Sequence, residues 1–442
     1  MSGGALYPDR VTEPQSATTT DAITRVWRDE SARLVAALTR MTRDLGLAED
    51  LAQDALVAAL EQWPTHGVPD NPGAWLMTTA KRRAIDHFRR ADTLRRKTEL
   101  LGHDLREEDA VPDLDALVDH IEDDVLRLVF LCCHPVLSPD SRAALTLRLV
   151  GGLTTREIAR GFLATETTMG QRISRAKRTL AEAGADLELP TGEDRARRLD
   201  DVMAVVYLIF NEGYSATAGD DWMRPELCQE AIRLARMLAQ MVPDEPEVHG
   251  LQALLEIQAS RTPARTDADG NPVLLDDQDR SRWDQLLVRR GLDALERAEL
   301  LAARGRPVGR YYLQAAIASR HARAARPEDT DWKTIAGLYD VLAEVAPGPV
   351  VEVNRAVAHG RAFEPGAGLA VLEAIPAEAL GGSHLVPSVR GDLLARLGRH
   401  DEAAAAFREA AGLTGNNSER SLLVARAEEC ERRSSEPVSR ST

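Results

Sequence analysis

The chain has 442 residues and a formal net charge of −15 at pH 7, and it is too long for one ordinary hydrophobic core. Ala, Leu, Arg and Glu outnumber aromatic and β-branched residues, which predicts an all-α fold. Four cysteines do not make a disulfide framework, and neither a signal peptide nor a run of about eighteen apolar residues occurs. We therefore expect a cytoplasmic protein.

The charge is unevenly distributed along the chain. Residues 81–97 carry eight basic and two acidic side chains, whereas residues 104–124 carry one basic and ten acidic ones. A local excess of basic charge is what a surface that meets nucleic-acid phosphates requires. The acidic total therefore does not exclude a nucleic-acid partner.

Residues 1–20, rich in Ser, Thr, Pro and Gly, predict a disordered lead. Apolar residues at helical spacing then predict a first helix from Asp21. A second apolar stripe, which includes Leu60, leaves Asp50, Asp54 and Glu61 together on the opposite side of a second helix. This second helix should have an acidic face.

A third helix is predicted from Asn71 to about Ala91, because Asn followed by Pro suits a helix start. Leu76, Ala80, Ala84 and Phe88 form its buried row, and four arginines lie off that row: Arg82, Arg83, Arg89 and Arg90. Two interpretations of this basic face stay open, a solvated helix surface and a nucleic-acid contact.

Residues 154–180 have the pattern of a helix-turn-helix. Thr154 and Glu157 form a capping box, a turn follows at 161–164, and a longer helix runs from about Thr165 to Ala183. The outward-facing part of that helix is where side chains meet the major groove: Thr167, Thr168, Gln171, Arg172, Arg175 and Arg178. Lys177 is a further candidate for phosphate contact.

Helical patterns continue through residues 187–433, before a short tail at 434–442. The segment 391–410 fits a tetratricopeptide unit, with Gly398, Ala403, Phe407 and Ala410 at its packing positions, and 354–375 is a degenerate second unit. Such repeats stack and leave a concave surface for a partner.

Three segments together resemble the bacterial extracytoplasmic-function sigma factors. They are Ala48-Glu-Asp-Leu-Ala-Gln-Asp54, the helix from Trp75 through Asp86 to Arg90, and Leu153-Thr-Thr-Arg-Glu-Ile-Ala159 with Gln171-Arg-Ile-Ser-Arg-Ala-Lys-Arg178. The chain departs from the family at Arg82, where Asn is usual. The resemblance implies a sigma domain 2 at 21–95, an acidic linker at 96–125 and a sigma domain 4 at 126–186.

The resemblance also implies roles for residues. Asp50, Gln53, Asp54 and Glu61 would bind core RNA polymerase. Trp75 and the four arginines of the third helix would bind the -10 element, which is melted during initiation, and the helix from Thr165 would bind the -35 element. The linker would pass near the RNA exit path, although a plain solvated linker fits residues 104–124 equally well.

The extension resembles that of the sigma-factor subgroup with a C-terminal tetratricopeptide-like domain, through Leu208-Ile-Phe-Asn-Glu-Gly-Tyr-Ser-Ala216 and Asn354-Arg-Ala-Val-Ala358. The resemblance implies regulation through residues 187–433 and a small YCII-related protein as a partner there.

Other classes find little support in the sequence. Cys132-Cys-His134 has no second ligand cluster, and the calcium-like start at Asp267 has Pro272 where such a loop needs Gly, so no metal or cofactor is expected. The chain has no P-loop, nucleotide-binding glycine motif, HExxH pair or nucleophile elbow, so we expect no enzyme. A stand-alone helix-turn-helix regulator remains the alternative to a sigma factor.

Overall fold

The computed structural model describes residues 14–99, 121–162, 164–214, 224–267, 273–376, 383–415 and 417–435. These ranges contain eighteen α-helices joined by turns and short 3-10 segments, which confirms the all-α prediction. By its internal contacts the chain divides into two compact units, Met1–Val205 and Val206–Thr442. None of the described helices has the length and apolar character that crossing a membrane would require.

The first unit consists of seven helices and the first part of an eighth. They are α1 Pro14–Thr42, α2 Leu45–His66, α3 Pro72–Glu99, α4 Ile121–Cys132, α5 Pro139–Leu149, α6 Thr155–Gly161, α7 Glu166–Glu182 and α8 Gly192–Tyr214. Helices α1–α3 pack on one another and are called the first module here. Helices α4–α7 form the second module, which also packs on α1.

Three helix ends of the first unit differ from the prediction. Helix α1 begins at Pro14, a residue suited to a first turn, so residues 14–20 are helical, while 1–13 lie outside the described residues. Helix α3 continues past Ala91 to Glu99, since no Gly or Pro interrupts it there. Helix α4 begins at Ile121, so the end of the predicted linker is helical, and its residues 100–120 are not among those described.

The boundary between the units lies inside α8, later than the predicted limit at residue 187. The first part of α8 packs on the second module. There the Arg198 guanidinium donates to the Phe130 carbonyl at 2.6 Å, and Arg142 pairs with Asp201 at 2.9 Å. Leu199 is buried nearby. Residues 192–205 are therefore a structural part of the first unit.

The second unit is an array of ten helices after the end of α8. They are α9 Pro225–Met241, α10 Pro246–Ser260, α11 Gln285–Ala303, α12 Arg310–Arg323, α13 Trp332–Val345, α14 Pro349–Ala362, α15 Pro365–Glu373, α16 Leu385–Arg396, α17 His400–Leu413 and α18 Asn417–Ser435. From α13 onward each helix packs mainly on its neighbours in sequence, as helix-pair arrays do. Helix α10 is buried against three helices, α9, α11 and α12.

The predicted unit at 391–410 is a helix pair, α16 and α17. Gly398 has a φ of 74° in the turn between the two helices, a conformation that favours glycine. Ala403, Phe407 and Ala410 are fully buried. A Cβ atom on Gly391 would lie 2.8 Å from the Phe407 ring, so the two helices approach each other closely at this glycine.

The adjacent cysteines Cys132 and Cys133 are buried at the end of α4. Burial raises the pKa of the Cys133 thiol to about 12, and burial likewise raises the pKa of Cys132. Within the described ranges, no group of three or more His, Cys, Asp or Glu side chains is arranged to hold a metal ion. Residues 268–272 of the calcium-like loop lie outside those ranges.

Replacing Phe407 with Ala should destabilise the second unit by about 3–5 kcal/mol, because a fully buried ring is exchanged for a cavity. Urea unfolding of the full chain, with the transition of each unit followed separately, measures the decrease in the free energy of unfolding. Phe363→Ala is the matched control: Phe363 is 62% exposed, and its loss should stay below about 0.5 kcal/mol. Equal losses in the two variants would contradict the packing described here.

Candidate nucleic-acid interface

Helix α2 begins at an N-cap, where the Asp44 carboxylate accepts from the Gly46 and Leu47 amides at 2.8 and 3.0 Å. Its outer face carries the predicted acidic residues: Asp50, Asp54 and Glu61 are exposed, and Gln53 is half-buried. The opposite side is buried through small and apolar residues. These acidic side chains are exposed on one side of α2, as the sequence predicts.

Two apolar side chains on α2 are exposed as well. Val57 is 47% exposed and follows Asp50 and Asp54 at helical spacing, and Leu60 is 44% exposed beside it. The prediction that Leu60 belongs to the buried stripe is therefore wrong. The α2 outer face, here residues 50, 53, 54, 57, 60 and 61, is therefore acidic and partly apolar.

Helix α3 starts as predicted, with the Asn71 side chain accepting from the Ala74 amide at 3.1 Å. Its buried row holds Leu76, Ala80 and Ala84, but Phe88 is only half-buried. Because α2 extends to His66, the segment between α2 and α3 is short, residues 67–71.

Basic and aromatic side chains occupy α3. Arg82, Arg89 and Arg90 are exposed, and Arg83 is half-buried and pairs with Asp54 of α2 at 3.1 Å. Trp75 lies edge-on to the buried Trp63, with 5.4 Å between ring centroids. The α3 surface therefore begins with an aromatic pair and continues with arginines.

The helix-turn-helix forms from α6 and α7. The Thr154 hydroxyl accepts from the Glu157 amide at 3.2 Å, and the Glu157 carboxylate accepts from the Thr154 amide at 2.8 Å, so the predicted capping box is present. Burial raises the pKa of Glu157, but the hydrogen bonds from Thr154 and the charge of Arg28 lower it by more. The pKa of Glu157 therefore lies below the ordinary value. Thr165 caps α7 through the Thr168 amide at 3.1 Å.

The predicted contact residues of α7 share one accessible side. Five of these side chains are exposed: Thr167, Thr168, Gln171, Arg175 and Arg178. Arg172 is half-buried and pairs with Asp140 of α5 at 3.4 Å. The opposite side of α7 is buried through Met169, Ile173, Ala176 and Leu180.

Comparison with known proteins matches these modules separately. Residues 26–93 match the family Sigma-70 region 2, and residues 127–180 match Sigma-70, region 4. The chain therefore contains both sigma-70 regions, and these matches support an extracytoplasmic-function sigma factor. A sigma factor of this family binds core RNA polymerase and promoter DNA in transcription initiation. Residues 198–299 match DUF6596, a family of unknown function, so the start of the extension has its own family.

Individual relatives agree with this division. An uncharacterized protein of Rhizobium meliloti is 45% identical over 390 residues, which cover 88% of this chain and 90% of the relative. The probable ECF RNA polymerase sigma factor SigI of Mycobacterium tuberculosis is 30% identical over 170 residues, 37% of this chain and 56% of SigI. The ECF RNA polymerase sigma factor SigK of a Mycobacterium species is 29% identical over 161 residues, 35% of this chain and 78% of SigK.

The surroundings of two residues differ from the sequence-based prediction. Glu49 belongs to the acidic segment of α2 but is buried, and Lys177, a candidate for phosphate contact, donates to the Glu49 carboxylate at 2.7 Å. Successive residues on a helix point about 100° apart, so Glu49 and Asp50 face in different directions. This is the signal in the sequence that could have separated the two acids.

Replacing Thr165 with Ala should destabilise the region 4 module by about 1 kcal/mol, because the Thr168 amide loses its capping oxygen. Thermal unfolding of the full chain, resolved by unit, measures the change. Ser174→Ala, at an exposed position inside the same helix, should be neutral or slightly stabilising. A Thr165→Ala variant as stable as the wild type would show that the cap does not hold the start of α7.

Proposed function

We propose that the α2 outer face docks on the clamp helices of the large polymerase subunit. The observation that carries this proposal is the exposed row of acidic and apolar side chains in the region 2 module. Asp50, Gln53, Asp54 and Glu61 supply charge and polar groups, and Val57 and Leu60 supply apolar area. An apolar centre with a polar rim is the usual composition of a specific protein interface.

Helix α3 and the segment before it bind the -10 element in this proposal. The ring of Trp75, backed by buried Trp63, offers a face on which an unstacked base can rest. Arg82, Arg83, Arg89 and Arg90 follow along the helix and would contact phosphates of the melted and double-stranded DNA. Arg82 replaces the usual Asn of the family, so we infer a changed base preference in the -10 element.

Helix α7 binds the -35 element in the major groove. Its accessible side offers hydroxyl, amide and guanidinium groups, which can meet base edges and phosphates. They belong to the exposed Thr167, Thr168, Gln171, Arg175 and Arg178 and to the half-buried Arg172. The polymerase performs the chemistry, so the chain itself acts in the cytoplasm as a specificity factor and not as an enzyme.

The helical extension regulates this sigma factor in cis. Its support is the array of helices packed on sequence neighbours and the α16–α17 pair, which fits a tetratricopeptide-like unit with Phe407 at its centre. A small YCII-related protein is the partner that the family resemblance assigns to this extension, and that resemblance is its sole support.

Gel filtration with sigma-free core RNA polymerase tests the docking proposal. The intact chain should co-elute, and the double variant Asp50→Arg, Asp54→Arg should not, because arginines at these two exposed positions would repel a surface that accepts acidic side chains. The control is Glu296→Arg, Glu299→Arg, two exposed positions of α11 with the same change in net charge. The control should co-elute like the intact chain.

The two variants separate the alternatives. Loss of co-elution in both would mean that net charge, and not the α2 outer face, governs binding. If the intact chain itself fails to bind, and a chain without residues 206–442 also fails, a stand-alone DNA-binding regulator becomes the better account.

Deleting residues 206–442 should change promoter activity in a reporter strain if the extension regulates in cis. The deletion begins at 206 because residues 192–205 of α8 pack on the region 4 module, and a cut at 191 would remove that packing as well. Immunoblotting controls for the amount of protein. Unchanged activity at equal amounts would contradict regulation through the extension.

A further inference from the structure

Two arginines lie side by side in the second unit, where the segment between α10 and α11 meets later helices. Asp276 of that segment pairs with Arg361, near the end of α14. Arg396, the last residue of α16, comes to the same place, because a Cβ atom on Gly360 would lie 3.9 Å from its Nη1 atom. Since Gly360 directly precedes Arg361, the guanidinium groups of Arg361 and Arg396 lie beside the same turn of α14.

Two further arginines of the segment have neutral partners. Arg280 is 8% exposed, and its guanidinium donates to the His321 and Ala324 carbonyls at the end of α12, at 2.9 and 2.8 Å. The guanidinium carbons of Arg261 and Arg280 lie 5.7 and 5.4 Å from the ring centroid of Trp283. Carbonyl oxygens and an aromatic face stabilise a cation but carry no full negative charge.

The ring of Trp332, at the start of α13, joins the two pairs of arginines. The guanidinium carbon of Arg361 lies 5.6 Å from its centroid, and the His321 ring centroid lies 5.2 Å from it. Burial and the positive charges of Arg261 and Arg280 lower the pKa of His321 to about 4, so this histidine is neutral at pH 7. The arginine cluster is defined here as Arg261, Arg280, Arg361 and Arg396.

Positive charge is in excess in the arginine cluster. Other nearby acids are paired with arginines outside it, in the pairs Asp392–Arg426 at 2.6 Å, Asp329–Arg326 at 3.1 Å and Glu328–Arg326 at 3.4 Å. Asp276 is the acid that pairs with a member of the cluster. Burial lowers the pKa of Arg396, and the charge of Arg361 lowers it too. This local excess occurs in a chain whose net charge is −15.

Hydrogen-bond donors exceed acceptors in the cluster as well. Among the described residues, the buried Nε atoms of Arg280 and Arg361 and the Nε1 atom of Trp283 have no acceptor. These three atoms are out of reach of solvent, so a ligand would touch the accessible groups. Arg396 is exposed and the Arg361 side chain is 32% exposed. Accessible guanidinium groups backed by buried positive charge are suited to an oxyanion.

We propose that Arg361 and Arg396 bind the phosphate group of a small molecule, with Arg261 and Arg280 supplying supporting positive charge. Each accessible guanidinium can donate two parallel hydrogen bonds to phosphate oxygens. A phosphate group offsets more of the excess charge than a carboxylate does, because it carries more than one negative charge at pH 7. The site lies within the second unit, so the binding does not depend on the polymerase and promoter contacts proposed above.

Equilibrium dialysis of the full chain against radioactive inorganic phosphate, at constant ionic strength, tests the site. The wild type should show saturable binding. Arg396→Gln should weaken it by about tenfold or more, because one guanidinium that donates to the phosphate is lost. Arg408→Gln is the matched control: it removes a guanidinium that is 60% exposed on α17, with the same change in net charge, and should bind like the wild type.

A variant with the opposite effect separates binding from a structural role. Asp276→Asn should strengthen phosphate binding by about tenfold, because the phosphate no longer competes with a carboxylate for Arg361. Loss of a merely structural ion pair would leave binding unchanged or weaker. Circular dichroism checks the fold of each variant. Arg396 is exposed and its replacement needs no repacking, so Arg396→Gln decides the site if Asp276→Asn does not fold.

Competition identifies the group that binds. Unlabelled sulfate should displace the radioactive phosphate, and acetate at the same ionic strength should not. Equal displacement by acetate would overturn the assignment to a phosphate group. A wild type without saturable binding would overturn the site, and so would equal weakening in Arg396→Gln and Arg408→Gln. Failure of the chain to bind core polymerase would contradict the proposed function and leave these results unchanged.

Discussion

The burial of Glu49 is the constraint on which the arrangement of the first unit depends. A carboxylate that loses water must gain charged or hydrogen-bonding partners, and the partners that the described residues give Glu49 come from outside its own module. Arg148 and Lys177 of the second module supply them. The position of α7 relative to α2 is therefore fixed by charge as well as by packing, and α2 has two functional sides that begin at adjacent residues.

The second unit uses the same device inside one helix array. Glu256 of α10 is fully buried, and its carboxylate accepts from Arg236 of α9 at 2.8 Å and from Gln252 at 3.1 Å. Glu247, at the start of α10, accepts from three backbone amides at the start of α12. Charged contacts between helices thus fix the register of α10 against its neighbours, where apolar packing alone is less directional.

Local chemistry explains which features the sequence predicted well. The cap at Asn71, the capping box at Thr154 and the start of α7 at Thr165 each depend on residues within four positions, so pattern alone suffices. The burial of Glu49 was missed because it depends on Arg148 and Lys177, which lie about a hundred residues away in the sequence. Leu60 was placed in the buried stripe, but it is exposed because no described helix covers it. The length of α3 was missed because a basic run without Gly or Pro gives no stop signal.

The net charge of −15 is compatible with DNA binding because the acids near the basic faces form exposed pairs. Asp54 is 56% exposed in its pair with Arg83, and Asp140 is 61% exposed in its pair with Arg172. Such pairs are worth about 0–1 kcal/mol, so a phosphate can replace the carboxylate at little cost and gain from counterion release. The buried contact at Glu49 is different, because the Lys177 side chain is only 23% exposed and its ammonium group is held by a carboxylate that is 8% exposed. The exposed acids therefore leave the proposed DNA-binding faces accessible, whereas the buried Glu49 carboxylate holds α2 against α5 and α7.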